Sequence, residues 1–461
     1  MLLDYFRSFY PRNQPGGTRQ SYAHEFRAAL TIPAAFSLME SGVVGILARK
    51  AFAVTPAQFA VIMSASSFAW VTSFLWTKFA HGRPKVRLIV ALQILSLLSV
   101  ASIAFLPMNA TGALLLTVLI ATQSCLMCGV ITLRSTIWRM NYPRDARATI
   151  TGRLTVIHSI IVGSIPLLAY SLLDQNPQAF RVIYPVSVLV AMIGVSAYSR
   201  IQVRGEAGLL RTERGEDLSD PETTEVDVEA QKNGASPEFW SVLRDDPLFR
   251  RYMIHQFILG SANMISMTVM VYLVADLTKG FSLAYMASIA LTAAIPRLVG
   301  TIILPLWARY LDRVHITRFR VLQSFVLMSD HFVLWLGMLT MLWPLIILAR
   351  IIQGVGRAGT LLAWNLGHND FTQDHQVAGY MGVHVTLTGV RGAIGPFLGM
   401  LLFKGWAPVS VDVLGVTLPG FQGMGIHIFL LCLFMATSAW IGYQFLSRDV
   451  AAQPTTVMES Q

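Results

Sequence analysis

The sequence predicts an all-α polytopic membrane protein with twelve transmembrane helices in two six-helix halves. Of the 461 residues, 54% are hydrophobic and only 13% are charged, whereas a soluble domain carries roughly 25% charged residues. Apolar runs of about 20 residues recur along the chain, which is the length that crosses the hydrocarbon core as a helix. A polar, acidic stretch separates two such apolar regions. Together these features predict the fold class.

The acidic stretch covers residues 200–247 and contains 12 of the 25 Asp and Glu residues. It is poor in apolar residues and has no sustained periodicity, which indicates a flexible linker. The predicted organisation is therefore a cytoplasmic arm, a first half, the linker, a second half and a cytoplasmic tail. Their boundaries are residues 1–27, 28–199, 200–247, 248–447 and 448–461.

Each predicted segment is an apolar run that ends at a basic loop or at a turn such as Thr55-Pro56 or Pro107-Met108-Asn109. In the first half the six segments are roughly 28–48, 57–77, a third that ends near 106, 112–138, 152–173 and 180–198. Residues 239–252 resemble an amphipathic surface helix. In the second half the six segments are roughly 252–274, 283–308, 321–342, 344–366, 380–403 and 425–446.

Basic residues are unevenly divided between the loops. With this segment map, and with Arg153 and Arg181 at segment ends counted with the adjoining loops, 25 of the 35 Lys and Arg fall on one side, 5 on the other and 5 inside segments. The positive-inside rule then places both termini and the linker in the cytoplasm, in a plasma membrane of the bacterial inner type. The same distribution argues against nucleic acid as the reason for the net charge of +10.

The two halves also repeat each other. Residues 75–81 (LWTKFAH) align with residues 306–312 (LWARYLD) at an offset of 231. Gly152 and Pro166 align with Gly382 and Pro396 at an offset of 230. Because each half has six segments, both copies have the same orientation, as in a parallel repeat.

The loop after segment eight, residues 308–313 (ARYLDR), resembles the Asp–Arg gating loop of the major facilitator superfamily. In that family the carboxylate caps a helix N-terminus and pairs with arginine, a use of the helix dipole. The resemblance implies gating roles for Asp312, Arg313 and Arg309. In the first half, His81 and Gly82 stand where Asp and Arg are expected, which predicts a weaker or pH-sensitive lock there.

Two further patterns carry the resemblance, which covers nearly all of the chain. Residues 350–358 (RIIQGVGRA) resemble the family's RxxQGxGxA motif, and Gly382 followed by residues 395–399 (GPFLG) resembles its antiporter motif. Both lie in the second half rather than in the first, and Arg391 replaces a glycine of the antiporter motif. The resemblance implies a secondary transporter with the twelve-helix fold of the superfamily and leaves the subfamily unassigned.

Charged residues inside segments are candidate site residues, because a charge at the bilayer centre costs about 2.5–3.5 kcal/mol. The resembled fold places segments one, four, seven and ten around a central cavity. It therefore implies Glu40, Arg134 and Arg357 as cavity residues, followed by Arg297 and Arg391. Three arginines at one depth favour an anionic substrate group. For each arginine the alternative is an internal salt bridge or a bond to a helix carbonyl.

Other polar residues have more modest expected roles. Asn263 is a polar cavity contact or an interhelical hydrogen-bonding group. Asp330 and His331 are expected to stabilise the second half. His158 and His384 are interpreted as packing or hydrogen-bonding groups.

Neither a metal nor a cofactor is predicted. Cys125 and Cys128 form a CxxC pattern inside an apolar segment without other ligands nearby, so packing is favoured over zinc or redox chemistry. The polar loop 368–375 has ligand-type residues, but a solvated loop is favoured over a metal site.

The sequence thus predicts a monomeric secondary active transporter in the lipid bilayer that moves a small organic solute by alternating access. Protons are the favoured coupling ion, since the cytoplasmic segments contain no ATP-binding P-loop pattern. A transporter-like receptor or assembly factor is the alternative, and the charged cavity residues argue against it. A membrane enzyme ranks last, because no nucleophile–base pair or metal cluster is visible.

Overall fold

The computed structural model describes residues 9–214, 239–371, 377–411 and 416–452. Within these ranges the chain is almost entirely helical and forms two compact units. Unit 1 contains residues 9–214 and 275–290, and unit 2 contains residues 239–274 and the described residues after 290.

The α-helices are numbered in chain order. Nine helices precede the acidic stretch among the described residues: α1 (Arg19–Thr31), α2 (Pro33–Phe36), α3 (Ser41–Ala51), α4 (Pro56–Val71), α5 (Ser73–Ala80), α6 (Lys85–Ser102), α7 (Ala110–Asn141), α8 (Arg144–Gln175) and α9 (Phe180–Tyr198). Helix α10 (Glu206–Arg214) lies in the first part of the acidic stretch. The later ones are α11 (Phe239–Asp245), α12 (Pro247–Leu277), α13 (Ala284–Ile289), α14 (Ile295–Leu311), α15 (Ile316–Thr340), α16 (Trp343–Leu366), α17 (Val377–Lys404) and α18 (Ile428–Ala451).

Among the described residues, ten helical stretches are long and apolar enough to cross a membrane. An eleventh results if the bent pair Gly16–Met39 and Ser41–Ala51 is one span, and α4 is a shorter apolar helix in the position of the predicted second segment. The predicted all-helical membrane fold is confirmed, and the predicted twelve spans are consistent with these helices.

The first predicted segment is broken at Glu40, where a continuous helix was expected. Pro33 lacks a backbone N–H and disturbs the preceding turn, and a 3₁₀ turn (Ser37–Met39) follows α2. Glu40 then has an extended backbone (φ −58°, ψ 135°). Its carbonyl accepts hydrogen bonds from the amides of Val43 at 2.7 Å and Val44 at 2.9 Å, which begin α3. The two parts of the span are bent by 44°.

Residues 275–290 belong to unit 1, although the predicted boundary places them in the second half. Asp174 at the end of α8 accepts hydrogen bonds from the amides of Tyr285 (2.6 Å) and Met286 (3.0 Å) at the start of α13. Arg49 Nη2 lies 2.8 Å from Asp276 Oδ2, and Lys50 Nζ donates to the Ala284 carbonyl at 2.7 Å. These polar contacts hold the segment against α3 and α8.

A short antiparallel hairpin forms in a loop outside the predicted segments. Strand Val409–Val411 pairs with strand Val416–Leu418 in the loop before α18. Trp406 and Phe421 pair through both backbone amides at 2.8 Å and close its base. The loop is rich in valine, which favours strands over helices.

The predicted linker contains two helices, α10 and α11, within its described residues. The predicted arm and tail also contribute helix, since α1 begins at Arg19 and α18 ends at Ala451. The surface helix predicted for residues 239–252 ends at Asp245, because Asp246 caps α12 by accepting from the Phe249 amide at 2.8 Å.

Candidate functional site

Unit 1 contains a cavity of about 380 Å³. Its walls come from α1, α2, the break at Glu40, α4 and the helices from α6 to α9, and they combine aromatic and methionine side chains with polar ones. The lining residues with acidic, basic or phenolic side chains are Glu25, Glu40, Arg134, His158 and Tyr198. The cavity therefore brings together Glu40 and Arg134, which the sequence predicts as cavity residues.

Glu40 reaches the cavity from the break in the first span. Its extended backbone ends one helical piece, and its carbonyl starts the next. The side chain is half-buried. Non-helical backbone at membrane depth is tolerated where it lines a cavity. The position of the helix break at the cavity wall is consistent with this rule.

Glu25 is a second carboxylate at this cavity, and the sequence interpretation missed it. Its side chain is 4% exposed. Oε2 accepts a hydrogen bond from Trp138 Nε1 at 2.6 Å, and Oε1 accepts one from the Tyr142 hydroxyl at 2.9 Å. The guanidinium carbon of Arg134 lies 4.5 Å from the centroid of the Trp138 ring. Trp138 thus contacts both residues: it donates a hydrogen bond to Glu25, and Arg134 lies over its ring.

Two lining residues present unused polar atoms. Gln93 Oε1 and the Tyr198 hydroxyl are buried and have no hydrogen-bond partner among the described residues. Both side chains line the cavity. Buried polar groups are normally satisfied, so these atoms are suited to a polar solute or to water.

The other charged or polar residues predicted inside segments lie in unit 2 and are not among the residues that line this cavity. Asn263 on α12 and Arg297 on α14 are half-buried, while Arg357 on α16 is exposed. Arg391 on α17 is 8% exposed. Its Nη1 donates to the Gln256 carbonyl, and its Nη2 donates to Thr388 Oγ1 at 3.2 Å.

Arg391 belongs to a buried polar network that links α12, α15 and α17. The Gln256 amide nitrogen lies 2.7 Å from His384 Nε2, and Gln256 Oε1 accepts a hydrogen bond from Arg320 Nη2. Arg320 Nε also donates to the Tyr252 hydroxyl at 3.1 Å. Arg391 therefore makes a bond to a helix carbonyl, as the alternative interpretation describes.

The sequence matches the family described as Major Facilitator Superfamily over residues 29–330. The chain belongs to the major facilitator superfamily. It is an integral membrane secondary transporter and not an enzyme. No curated protein matches the sequence.

Solved structures with this superfamily fold resemble the chain at low sequence identity. The nucleoside transporter NupG has a TM-score of 0.62 at 12% identity, with 92% of this chain and 98% of that chain covered. A D-xylose–proton symporter has a TM-score of 0.66 at 10% identity, with 92% and 96% covered. A POT family transporter in complex with 5-aminolevulinic acid has a TM-score of 0.60 at 12% identity, with 93% and 96% covered.

The predicted gating-loop residues lie at the surface of their units. Arg309 is exposed in the last turn of α14, Asp312 and Arg313 are exposed just after it, and His81 is exposed after α5. The carboxylate that caps α15 is that of Asp370, which accepts from the Ile316 amide at 2.7 Å.

A carboxylate also caps the repeat-related helix of unit 1. Lys85 precedes Ile316 by the repeat offset of 231 residues. Its amide donates to Glu206 Oε1 at 3.2 Å. Both capping carboxylates come from outside the residues that the superfamily pattern designates.

Proposed function

We propose that the protein couples the proton gradient to the movement of a small organic solute that carries an anionic group. The observation that carries this proposal is that Glu40, Glu25 and Arg134 line one cavity. The cavity combines acids that can exchange protons with a cation that can bind an anion.

Arg134 is the proposed contact for the anionic group. A guanidinium binds carboxylate or phosphate through two parallel hydrogen bonds. Arg134 is half-buried and lies over Trp138, whose indole N–H is occupied by Glu25. A bound anion would compete with Glu25 for the positive charge of Arg134.

The net charge of the cavity residues connects the binding of an anion to the binding of a proton. With Glu25 and Glu40 ionised, the cavity holds two negative charges and one positive charge. An anion alone would add a second uncompensated negative charge, which is costly in a poorly solvated space. One proton on either carboxylate restores the original balance, so anion and proton are expected to bind together.

The structural neighbours support the class of solute. They are a nucleoside transporter, a D-xylose–proton symporter and a transporter in complex with 5-aminolevulinic acid, and each of these solutes is a small organic molecule. We further propose a monomer in a bacterial inner membrane, with both termini and residues 200–247 in the cytoplasm. The uneven loop charges support this orientation.

The proposal is tested in liposomes that contain the purified protein. Counterflow of labelled carboxylates, phosphorylated sugars and zwitterions is compared with that of neutral sugars and nucleosides, and uptake is then driven by an inside-alkaline pH gradient. We expect exchange of an anionic solute and its accumulation with the gradient, abolished by a protonophore. Exchange restricted to neutral solutes would exclude the anionic part, and uptake that ignores the gradient would exclude proton coupling.

Arg134→Lys provides the matched variant. It keeps the charge but loses the two-pronged geometry, so the KM of an anionic solute is expected to rise by roughly tenfold or more. Arg139→Lys, at an exposed position on the same helix, is the control and should leave KM unchanged. Solute binding without exchange in the unaltered protein would instead support a transporter-like receptor.

A further inference from the structure

The first part of the acidic stretch folds onto the loop between α5 and α6. Helix α10 brings two glutamates to this loop, and both accept hydrogen bonds from it. Glu213 Oε2 lies 2.7 Å from the Gly82 amide nitrogen and 2.6 Å from Lys85 Nζ. Glu206 Oε1 accepts from the Lys85 amide at 3.2 Å. Residues that composition assigns to a linker therefore form specific contacts.

Lys85 is a buried cation whose charge is compensated by Glu213. Its side chain is only 3% exposed, and that of Glu213 is 18% exposed. The ammonium group donates to the Ala80 carbonyl at 2.7 Å as well as to Glu213. A buried charge that loses its partner is strongly destabilising. The position of Lys85 thus depends on a carboxylate that comes from α10.

Arg214 strengthens the same contact. Its Nε and Nη2 donate to the Gly82 carbonyl at 3.2 and 3.0 Å. Gly82 has φ +68°, and a Cβ atom there would lie 3.4 Å from Arg214 Cγ. Both backbone groups of Gly82 are therefore bonded to α10, and its left-handed conformation favours glycine.

A second contact anchors the chain that leads into α10. Asn141, 1% exposed at the end of α7, donates to the Gln202 carbonyl at 3.0 Å. Its Oδ1 accepts from the Arg204 amide at 2.9 Å. Residues 202–214 consequently bridge the end of α7 and the loop between α5 and α6.

Unit 2 has a comparable arrangement at the repeat-related position. Asp370, from the loop after α16, caps α15 at Ile316. His81 stands in the first copy where the second copy has Asp312. The loop between α5 and α6 thus lacks an acid of its own and receives one from α10.

We propose that Glu213 is a positioning residue of the transport cycle that supplies the carboxylate missing from the first gating loop. This inference rests on the proposed transport function. Glu213 acts through Lys85 and Gly82, and it fixes the α5–α6 loop against α10. The acidic stretch is then part of the gating apparatus as well as a connection between the halves.

Docking of α10 is tested first, without any need for a substrate. In full-length protein with Cys125, Cys128 and Cys432 replaced by alanine, the half-buried Leu209 is replaced by cysteine and its thiol labelling rate is measured. Glu213→Gln should raise that rate roughly tenfold, because it removes a charge-assisted hydrogen bond and an ion pair. Arg211→Gln, at an exposed position on α10, is the control. An unchanged labelling rate in Glu213→Gln would overturn the proposed docking role.

Transport is the second readout. Glu213 is not among the residues that line the unit 1 cavity, so Glu213→Gln should lower the maximal uptake rate several-fold and leave KM unchanged. Glu213→Asp should recover part of the rate. His81→Asp in the Glu213→Gln background should recover it further, since it restores a carboxylate within the loop.

The two readouts separate the possible failures. Faster labelling with unchanged maximal uptake in Glu213→Gln would show a merely structural contact and would overturn the gating role. That role would equally be overturned if KM changed instead of the maximal rate, or if neither carboxylate replacement restored uptake. Absence of uptake in the unaltered protein would count against the proposed solute and coupling, while the labelling result would still decide whether Glu213 holds α10.

Discussion

Arg350 and Asp330 form an ion pair inside unit 2, with Arg350 Nη2 3.0 Å from Asp330 Oδ1 and side-chain exposures of 1% and 0%. The pair joins α15 to α16. Arg350 Nη1 also donates to Gln353 Oε1 at 2.7 Å. Because neither charge reaches solvent, each depends on the other for compensation.

Asp330→Asn is expected to destabilise the protein by about 3–5 kcal/mol, because it leaves the Arg350 guanidinium buried without its counter-charge. Thermal unfolding in detergent measures the loss. The double variant Asp330→Leu with Arg350→Met should recover most of it, since a buried pair can be replaced by apolar groups of similar volume. A single variant as stable as the unaltered protein would contradict this role.

The fold class, and two of the residues that line the candidate cavity, can be predicted from the sequence because both depend on local signals. Apolar runs mark the spans, and a charge within a run marks a residue that needs a partner. Glu40 and Arg134 were found in this way and share a cavity. Arg391 was marked by the same signal, but its contacts with Gln256 and Thr388 could not be read from spacing.

What the sequence missed depends on contacts between distant residues. Glu25 lies before the predicted start of the first span, among basic residues, and its partner Trp138 is 113 positions later. Glu213 lies in a stretch whose composition indicates flexibility, and its partner Lys85 is 128 positions earlier. The break at Glu40 was also missed, because hydrophobic periodicity does not report a single extended residue.

Glu40→Gln should abolish uptake driven by a pH gradient while counterflow is retained. Glutamine keeps the side-chain volume but cannot exchange a proton, and counterflow requires only the reorientation of loaded carrier. Both activities are measured in the same liposomes, with Asp449→Asn at an exposed position as the control. Unchanged gradient-driven uptake would reduce Glu40 to a structural residue.

Glu25→Gln should differ from Glu40→Gln by lowering stability as well. Both carboxylate oxygens of Glu25 accept hydrogen bonds, from Trp138 and Tyr142. An amide nitrogen in place of one oxygen would face a donor, which costs about 1–3 kcal/mol at a buried position. Thermal unfolding of the two variants side by side checks the contrast, and equal stabilities would argue against the described bonding of Glu25.

Asp276→Asn should loosen residues 275–290 from the rest of unit 1. Asp276 pairs with Arg49 at 2.8 Å and with Lys279 at 2.7 Å. The Lys279 side chain is 54% exposed, so its pair is expected to contribute less than about 1 kcal/mol. Faster hydrogen exchange in residues 275–290 is therefore expected for Asp276→Asn and for Arg49→Gln but not for Lys279→Ala. Equal effects of all three variants would mean that burial does not decide the strength of these pairs.

The docking of α10 is expected to be lost in acid. Burial alone would raise the pKa of Glu213, but hydrogen bonds from Lys85 and the Gly82 amide, with the charges of Lys85 and His81, lower the pKa below its usual 4.5. Arg214 and Glu206 contact the same loop. A carboxyl whose pKa is lower in the docked state favours docking at pH values above its undocked pKa. That contribution is fully present at pH 7, and it is lost as the pH falls below 4.5 and through the lowered value.

A spin label attached at Arg211→Cys in the cysteine-free background reports this transition. The label should be restricted between pH 7 and 5 and should become mobile below pH 4.5 as Glu213 gains its proton. Glu213→Gln carries no titrating group at this position, so its label should be mobile at pH 7 already and should change little with acid. If both proteins showed the same acid transition, another group would control docking, and the lowered pKa of Glu213 would have no part in it. If mobility instead decreased with acid, the sign of the linkage would be reversed and the ion pair with Lys85 could not be what holds α10 in place.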